Sequence, residues 1–334
     1  MEGEVGSGSI IQTRDLSKAF GGVTAVHNLD LDIPAGSIFG FIGPSGCGKT
    51  TSVRLLLGIY TPDTGTASVL GRSPQHFGRH ERAQIGYMPQ QFVLYSELSV
   101  WENLNFAASL YGTPLRRKDR LKTLLELVEL SGQEKKKVHN LSGGMQRRLS
   151  LAASIIHDPQ LVFFDEPTAG IDPVLRRKFW DYFQLLKADG RTLFVTTQYV
   201  GEAAYCDYVG VMANGRLLMV ETPDNLRRRA LGGDIIHLYT REFLTEEQFN
   251  KLRNQPFVLT GQASRLLNRG VEMVVNNASV TLPLLVQWCQ DQGIEIDSTS
   301  EYVPLFDDVF VQLIEQETAV TPEDDTLVEE VAHV

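Results

Sequence analysis

Apolar and polar residues alternate along two segments near the N-terminus, residues 10–16 and 23–33. In the second segment, Leu29, Leu31 and Ile33 alternate with polar side chains. An alternation of period two is typical of a β-strand that buries one face and exposes the other. The pattern therefore predicts an antiparallel β-region at the start of the chain.

The following segments change between short apolar runs and longer stretches with helical periodicity. The apolar runs predict buried strands at 37–42, 161–164 and 191–197. Helical periodicity and start signals predict helices over 49–57, 100–111, 115–130 and 142–157, and a further helix that begins at Asp172. Strands that alternate with helices indicate an α/β fold built on a parallel sheet.

From about residue 231 the predicted elements become shorter. Predicted strands cover 234–239, 257–260, 271–275 and 294–297, and predicted helices cover 246–254, 282–290 and 306–315. This alternation indicates a small α+β domain of the ferredoxin-like type. The acidic end of the chain, 318–334, contains no aromatic residue and predicts a disordered tail.

The predicted domain organisation follows from this change in pattern. We expect a first domain over 1–230, with a helical subdomain at about 91–140. The second domain is expected over 231–317, with a regulatory or dimerisation role.

The charge balance argues against one class of function. The chain has 334 residues, with 31 Lys and Arg against 41 Asp and Glu and a formal net charge of -10. Binding to a nucleic-acid backbone needs clustered Lys and Arg. We therefore expect no nucleic-acid partner.

Three further features of the sequence bear on where the chain acts and on whether its cysteines bind zinc or form disulfides. Every apolar run is shorter than the roughly 18 residues that a membrane-spanning helix needs, and the first residues lack the pattern of a signal peptide. Cys47, Cys206 and Cys289 are isolated, which predicts neither a disulfide framework nor a zinc site. We expect a chain that stays on the cytosolic side of the membrane.

Residues 43–50, GPSGCGKT, follow a predicted strand and precede a predicted helix. They match G-x-x-x-x-G-K-[ST], in which backbone N–H groups and a helix N-terminus surround a polyphosphate. Lys49 would span the β- and γ-phosphates, and Thr50 would offer its hydroxyl to Mg²⁺. We predict a site for ATP and Mg²⁺. Its phosphate-binding residues are Gly43, Pro44, Ser45, Gly46, Cys47, Gly48, Lys49, Thr50 and Thr51.

The buried strand predicted at 161–164 is followed by two carboxylates, Asp165 and Glu166. A core strand does not tolerate uncompensated buried charge. Beside a phosphate-binding loop, Asp165 would bind Mg²⁺ through water and Glu166 would polarise the attacking water. A structural ion pair at the end of the strand is the alternative interpretation.

Residues 141–146, LSGGMQ, lie between these two motifs. Ser142 would cap a helix whose Gly143 and Gly144 amides are free to bind an anion. The order GPSGCGKT, LSGGMQ and LVFFDEP resembles that of the ATP-binding cassette (ABC) ATPases.

The resemblance covers residues 10 to about 229 and implies the fold of that family. It implies a P-loop NTPase with a RecA-like α/β core, an antiparallel β-subdomain and a helical subdomain. It also implies a head-to-tail dimer that holds two ATP molecules between its subunits. We expect a homodimer. In such a dimer one subunit would bind its partner's ATP with Ser142, Gly143, Gly144 and Gln146.

The resemblance assigns roles to four further residues. Phe20 matches the aromatic residue that stacks on adenine, and Gln90 matches the glutamine that reaches Mg²⁺ and senses the transmembrane partner. Asp172 matches the aspartate that communicates across the dimer, although a plain helix cap explains it equally well. Gln198 stands where the family usually has a His that contacts the γ-phosphate. The glutamine amide can donate a hydrogen bond there, but unlike His it cannot take up a proton and become positively charged.

These features predict an active ATPase whose catalytic residues are Lys49, Glu166 and Gln198. Because Gln198 replaces the usual His, we expect slower hydrolysis than in a cassette with His. The alternative is a soluble or weakly hydrolysing, nucleotide-gated ABC regulatory protein without a permease.

The resemblance also implies a separate transmembrane permease as partner. The permease would dock on the helical subdomain, where Tyr95, Leu98 and Trp101 are candidate contact residues, with core packing as the alternative for Trp101. The chain would then lie at the cytoplasmic face of the cell membrane. Residues 302–311, YVPLFDDVFV, resemble an element of the ABC-2-type, daunorubicin-resistance-like export ATPases. We therefore expect an exporter of drugs, lipids or polysaccharides.

Overall fold

The computed structural model divides the chain into two compact units, residues 1–221 and 222–334. The structure describes residues 8–91, 93–112, 117–259, 264–267 and 269–320. Within these ranges no helix is both long and apolar enough to cross a membrane.

The elements of the first unit alternate along the chain as predicted. Its strands are β1 (Ser9–Phe20), β2 (Val23–Pro34), β3 (Ile38–Ile42), β4 (Thr64–Val69), β5 (Ile85–Met88), β6 (Leu161–Asp165), β7 (Thr192–Thr197), β8 (Tyr208–Ala213) and β9 (Arg216–Glu221). Its helices are α1 (Lys49–Leu56), α2 (Arg79–Ala83), α3 (Val100–Leu110), α4 (Lys118–Leu127), α5 (Gly143–Ile155) and α6 (Pro173–Ala188).

The strands of this unit form two sheets. An antiparallel sheet has the order β2-β1-β4, which confirms the predicted antiparallel region and adds β4 to it. The larger sheet has the order β5-β6-β7-β3-β8-β9. Its first five strands are parallel, and β9 returns antiparallel to β8. The hairpin between them turns at Asn214 and Gly215, both with positive φ. Asn-Gly is the dipeptide that a type I′ hairpin turn prefers.

The centre of the parallel sheet is dry. Every residue of β3, β6 and β7 is buried, and Phe39, Phe41 and Phe163 pack around Phe194 with ring centroids 5.2 to 5.5 Å apart. Because the strands are parallel, their carboxyl ends meet at one edge of the sheet. The segments that follow β3, β6 and β7 therefore come together there.

The predicted helical subdomain contains α3 and α4. Helix α3 begins with the predicted capping box, in which Ser99 Oγ accepts from the Glu102 backbone N–H and the Glu102 side chain accepts from the Ser99 N–H. The helix predicted over 115–130 is α4, and its predicted first residues lie outside the described ranges, which lack 113–116.

The boundary between the units differs from the predicted one. The sequence places it at 230, whereas helix α7 (Pro223–Leu231) already belongs to the second unit. Within that unit the Arg227 guanidinium lies 3.9 Å from the ring centroid of Phe306, and Arg228 donates to Asp234 at 2.7 Å. These contacts tie α7 to the second unit.

The second unit has the predicted ferredoxin-like topology. After α7 its elements are β10 (Asp234–Thr240), α8 (Glu246–Arg253), β11 (Arg265–Leu267), β12 (Gly270–Val275), α9 (Ala278–Asp291), β13 (Ile296–Tyr302) and α10 (Phe306–Val320). The antiparallel sheet has the order β11-β12-β10-β13. From β10 to β13 the element order is βαββαβ, which confirms the predicted α+β type.

Several predicted bounds in this unit are wrong, among them that of the strand predicted over 294–297, which is β13. Residues 257–259 form no strand, since Val258 makes a single bridge to Val275, and residue 260 lies outside the described ranges. Helix α9 begins before residue 282, because Asn277 caps it. Helix α10 continues to Val320, so residues 318–320 are helical, and the rest of the predicted tail lies outside the described ranges.

Candidate functional site

The loop between β3 and α1 approaches neighbouring backbone too closely for side chains. Gly48 has a φ of +109°, and a Cβ there would lie 2.3 Å from the Ala25 carbonyl oxygen. A Cβ on Gly43 would lie 2.1 Å from the Met212 carbonyl oxygen. Glycine at these two positions lets the loop turn from the buried strand into the helix N-terminus.

This loop opens onto a cavity of 190 Å³ at the carboxyl edge of the sheet. The cavity gathers predicted residues from the phosphate-binding loop, the glutamine loop and the end of β6. Its lining residues are Ala25, Ser45, Gly46, Gly48, Lys49, Thr50, Thr51, Gln90 and Glu166.

Lys49 is nearly buried, with 4% of its surface exposed. Its ammonium group donates to the carbonyl oxygens of Gly43 and Pro44 at 2.7 and 2.8 Å. It also lies 3.9 Å from Glu166 Oε1. The loop thus holds one positive charge where the sequence predicts the phosphates, and its acceptors satisfy the desolvated ammonium.

Asp165 lies at the end of β6, behind Thr50. Its Oδ1 accepts hydrogen bonds from Thr50 Oγ1 at 3.0 Å and from Thr196 Oγ1 at 2.7 Å. Its Oδ2 is buried, and among the described residues no donor bonds it. A buried carboxylate oxygen without a donor, on the carboxylate that binds the Thr50 hydroxyl, fits the oxygen ligands that Mg²⁺ prefers.

Glu166 has a left-handed backbone, with φ +49°, which is unfavourable for a residue with a side chain. The surrounding groups hold this conformation. Its backbone N–H donates to Thr196 Oγ1 at 2.9 Å, and its carboxylate Oε2 accepts from Gln90 Nε2 at 2.7 Å. The strain turns the carboxylate out of the strand and into the cavity.

Arg147, which the sequence analysis did not single out, also fixes Glu166. One of its Nη atoms donates to the Gln90 carbonyl oxygen at 2.8 Å, and the other donates to the carbonyl oxygens of Glu166 and Ala169 at 2.8 and 3.0 Å. Burial lowers the pKa of the Arg147 guanidinium, while Glu166 and Asp165 act in the opposite direction. The signal in the sequence is its position one residue after LSGGMQ, on the same helix.

Gln198 follows β7 and meets the phosphate-binding loop. Its Oε1 accepts a hydrogen bond from Ser45 Oγ at 2.7 Å. The other end of the amide is a donor, and the side chain is exposed at the mouth of the site. The structure therefore places Gln198 beside the loop, as the sequence predicts.

The remaining predicted site residues are absent from the lining of this cavity. Ser142 caps α5 by accepting from the Met145 N–H at 3.3 Å, and Gly143 is exposed. Gln146 instead donates to the carbonyl oxygens of residues 138 and 141. The N-terminus of α5 thus presents free amides away from the phosphate-binding loop of its own chain.

Asp172 and Phe20 also lie apart from the cavity lining. Asp172 is exposed and caps α6, since its Oδ1 accepts from the N–H groups of Val174 and Leu175 at 3.0 Å. Phe20 is 44% exposed, with its ring centroid 5.2 Å from that of Tyr60 in an edge arrangement. Lys18 Nζ also lies over this ring, 5.5 Å from its centroid, so stacking of Phe20 on adenine stays a prediction.

The parallel sheet, the glycine-rich loop at its carboxyl edge and the carboxylates of Asp165 and Glu166 define a P-loop nucleotide-binding cassette. A family model described as ABC transporter matches residues 26–169. The Nod factor export ATP-binding protein I of Burkholderia lata is 37% identical over 231 residues, which are 69% of this chain and 76% of that protein. The chain belongs to the family of ABC transporter ATP-binding proteins, as the resemblance implies.

Other relatives and solved structures agree with this assignment. The probable multidrug ABC transporter ATP-binding protein YbhF of Escherichia coli (strain K12) is 36% identical over 231 residues, which are 69% of this chain and 40% of that protein. The chain thus spans less than half of that relative. A solved ATP-binding subunit of an ABC transporter is 27% identical, with a TM-score of 0.61 over 66% of this chain and 93% of that chain. The cbiO1 structure from Clostridium perfringens, 22% identical with a TM-score of 0.60 over 75% of this chain and 96% of that chain, supports the fold alone.

Proposed function

We propose that the chain is the ATP-hydrolysing subunit of an ABC exporter and that it works as a dimer around two ATP molecules. The observation that carries the proposal is the grouping of Lys49, Thr50 and Glu166 in one cavity, while the free amides at the start of α5 point to no site of their own chain. Each of the two ATP sites would then contain residues from both subunits.

The residues of the cavity supply the chemistry of phosphoryl transfer. Lys49 and the backbone N–H groups of the loop would bind the β- and γ-phosphates of ATP. Thr50, Gln90 and Asp165 would hold Mg²⁺, which when bound neutralises charge on the phosphates.

Glu166 would orient a water molecule in line with the bond to be broken. Its carboxylate accepts a hydrogen bond from that water, whose oxygen attacks the γ-phosphorus as the bond to the β–γ bridging oxygen breaks. The products are ADP and inorganic phosphate. Gln198 would donate its amide N–H to the γ-phosphate, with Ser45 fixing the amide orientation through Oε1.

The second half of each site would come from the partner subunit. The exposed Ser142 and Gly143 at the N-terminus of α5 suit a phosphate, because the helix dipole and unpaired amides favour an anion there. Gly144 and Gln146 would support that contact. Asp172 would communicate with the other subunit across the dimer interface. Phe20 would stack on the adenine of the subunit's own ATP.

A permease is the proposed second partner, and two apolar surfaces support this. Tyr95 packs edge-on against Phe106 at 4.7 Å, and with Leu110 these side chains are 37 to 67% exposed. A groove of 210 Å³ is lined by Leu57, Ile59, Phe77, Arg82, Ile85, Tyr87 and Tyr111. Exposed apolar patches of this kind are typical of protein interfaces.

The names of the relatives support the direction of transport. One relative is named a Nod factor export ATP-binding protein and another a probable multidrug ABC transporter ATP-binding protein. These names support an exporter, and drugs, lipids or polysaccharides stay its proposed substrates. The chain would act at the cytoplasmic face of the cell membrane, bound to its permease. The competing proposal is a weakly hydrolysing regulatory protein, which the Gln198 substitution for the usual His favours.

Phosphate release from MgATP by the purified chain separates the two proposals. We expect steady turnover by the wild type and none by Lys49→Ala, because the variant loses the positive charge of the phosphate site. Turnover that rises by orders of magnitude in Gln198→His, from a wild type near background, would favour the regulatory protein. An exporter subunit should gain turnover when it is produced with its permease.

A further inference from the structure

Glu202 is a buried carboxyl group that the proposed chemistry does not use. It lies in a 3₁₀ turn, Val200–Tyr205, four residues after Gln198, and 2% of its surface is exposed. A carboxyl group removed from water needs hydrogen-bonding or ionic partners to be tolerated. Its surroundings therefore carry information about its role.

The groups that face Glu202 are Thr197, Thr168, Trp180 and Arg176. Arg176 Nε lies 3.6 Å from Glu202 Oε1 and is the charged group of the set. Among the described residues, both Glu202 oxygens, Thr168 Oγ1 and Trp180 Nε1 are buried without a hydrogen-bond partner. Several buried polar groups thus surround one carboxyl group without hydrogen-bond partners. Native proteins leave few buried polar atoms unpaired.

Each facing group belongs to a segment that reaches the proposed ATP sites. Thr168 lies two residues after Glu166, and Thr197 lies directly before Gln198. The Thr197 Oγ1 accepts a hydrogen bond from the Tyr199 N–H at 3.0 Å. Glu202 therefore touches the turn that follows the catalytic carboxylate and the loop that carries Gln198.

Helix α6 supplies the remaining contacts. Arg176 and Trp180 lie one and two turns after Asp172, on one side of the helix. The Arg176 guanidinium also lies 3.9 Å from the ring centroid of Tyr199, the residue after Gln198. The carboxyl group and this stacked pair together join α6 to the Gln198 loop.

Resting on the proposed function, we propose that Glu202 is a positioning residue for Gln198. It would act by joining the Gln198 loop to α6 and to the turn after Glu166. Burial is the main cause that raises the pKa of the Glu202 carboxyl, while Thr197, Thr168, Trp180 and Arg176 lower it.

The test uses the full chain and compares MgATP turnover of the wild type with Glu202→Leu and Glu202→Gln. Leucine fills the volume without polar atoms. We expect kcat to fall about tenfold or more, because the variant loses a buried polar group and its ionic contact with Arg176. The KM for ATP should change less than about twofold, since Glu202 does not contact the nucleotide. Glutamine keeps an acceptor and should recover most of the lost kcat.

A double mutant distinguishes positioning of Gln198 from a general structural role. If Glu202 acts through Gln198, then Glu202→Leu in a Gln198→Ala background should cost less than about twofold more. Losses that multiply, or a Glu202→Leu chain with wild-type kcat, overturn the proposal. Glu126→Leu is the matched control, because Glu126 is exposed on α4 and should leave turnover unchanged.

Two further readouts keep the result interpretable. If Glu202→Leu does not fold, Thr168→Val removes one facing hydroxyl at constant volume. Thr168→Val should lower kcat in the wild-type chain and should lower it much less in a Gln198→Ala chain. An equal effect on kcat in both chains would contradict the proposal. A wild type without turnover refutes the proposed function itself, whereas wild-type turnover with unaffected Glu202 variants refutes this inference alone.

Discussion

At the scale of single residues, the left-handed Glu166 backbone is the feature on which the proposed catalysis depends most. Its φ of +49° stores strain that persists because neighbouring groups fix it. Arg147 binds the Glu166 carbonyl oxygen at 2.8 Å while it also binds the glutamine-loop carbonyl of Gln90. One guanidinium therefore couples the α5 helix to the position of the catalytic carboxylate.

We expect Arg147→Ala to lower kcat about tenfold or more, since charged hydrogen bonds to buried carbonyls are worth about 1.5 to 3 kcal/mol. Steady-state phosphate release and a circular dichroism spectrum are the measurements. Arg253→Ala is the control, because Arg253 is exposed on α8. Equal turnover by Arg147→Ala and Arg253→Ala would show that Arg147 does not hold the site.

Cys47 reports on occupancy of the phosphate-binding loop. Burial raises the pKa of its thiol, with Lys49 acting in the opposite direction, so little thiolate is present near neutral pH. We expect slow alkylation that accelerates as pH rises and that MgATP slows, because bound phosphates would cover the loop. Mass spectrometry of Cys47 measures this. Cys47→Ser gives the background from Cys206 and Cys289, and equal rates with and without MgATP would contradict the loop assignment.

The sequence predicts residues whose partners are close along the chain. It misses residues whose partners are distant along the chain. Lys49 and Thr50 belong to a motif whose function resides in consecutive residues, so spacing alone predicts them. Arg147 and Thr196 act through contacts with Glu166 that join distant segments of the chain. A single sequence carries no record of such contacts, and the fold was needed to find them.

At the scale of elements, the start of α3 is a local structure that the sequence specifies fully. The Ser99 N–H and hydroxyl lower the pKa of Glu102, whose ordinary value is 4.5. Because the folded-state pKa is lowered, the contribution of this pair is present above pH 4.5 and is lost as pH falls through the folded value. The cap is therefore a stabilising element at neutral pH.

We expect Ser99→Ala to lower the free energy of unfolding by about 1 kcal/mol at pH 7, the usual value of an N-cap hydroxyl. The difference from wild type should shrink once the pH falls below the folded pKa of Glu102, because the Ser99 hydroxyl is one of the groups that lower that pKa. Urea unfolding followed by circular dichroism at pH 7 and at successively lower pH measures both. Ser131→Ala, at an exposed loop position, is the control. An equal loss for the two variants would exclude the capping contribution.

Elements of the second unit show where pattern reading fails. Strand β13 continues past residue 297 through Ser298, Thr299 and Ser300, whose side chains are polar and mostly exposed. Backbone pairing with β10 keeps this segment extended, so the strand carries no apolar signal. The extent of an edge strand depends on its neighbour, whereas the buried strand β6 was predicted from its own residues.

At the scale of the whole molecule, we propose that each chain contains one half of an ATP site. The cavity at the carboxyl edge of the sheet contains Lys49, Gln90 and Glu166, and the free amides after Ser142 lie outside its lining. Two chains in head-to-tail contact would complete both sites. Family membership and fold are shown by the comparisons, while the dimer and the permease are proposals that follow from this division of the site.

The most direct test of the central claim is the mass of Glu166→Gln in MgATP, measured by sedimentation or light scattering. The variant binds ATP without activating water, so we expect it to accumulate as a dimer, while the same chain without nucleotide remains a monomer. Adding Ser142→Arg should abolish the dimer, because an arginine at the α5 N-terminus blocks the contact with the partner's phosphate. A Glu166→Gln chain that stays monomeric in MgATP, or a dimer unaffected by Ser142→Arg, would contradict the composite site.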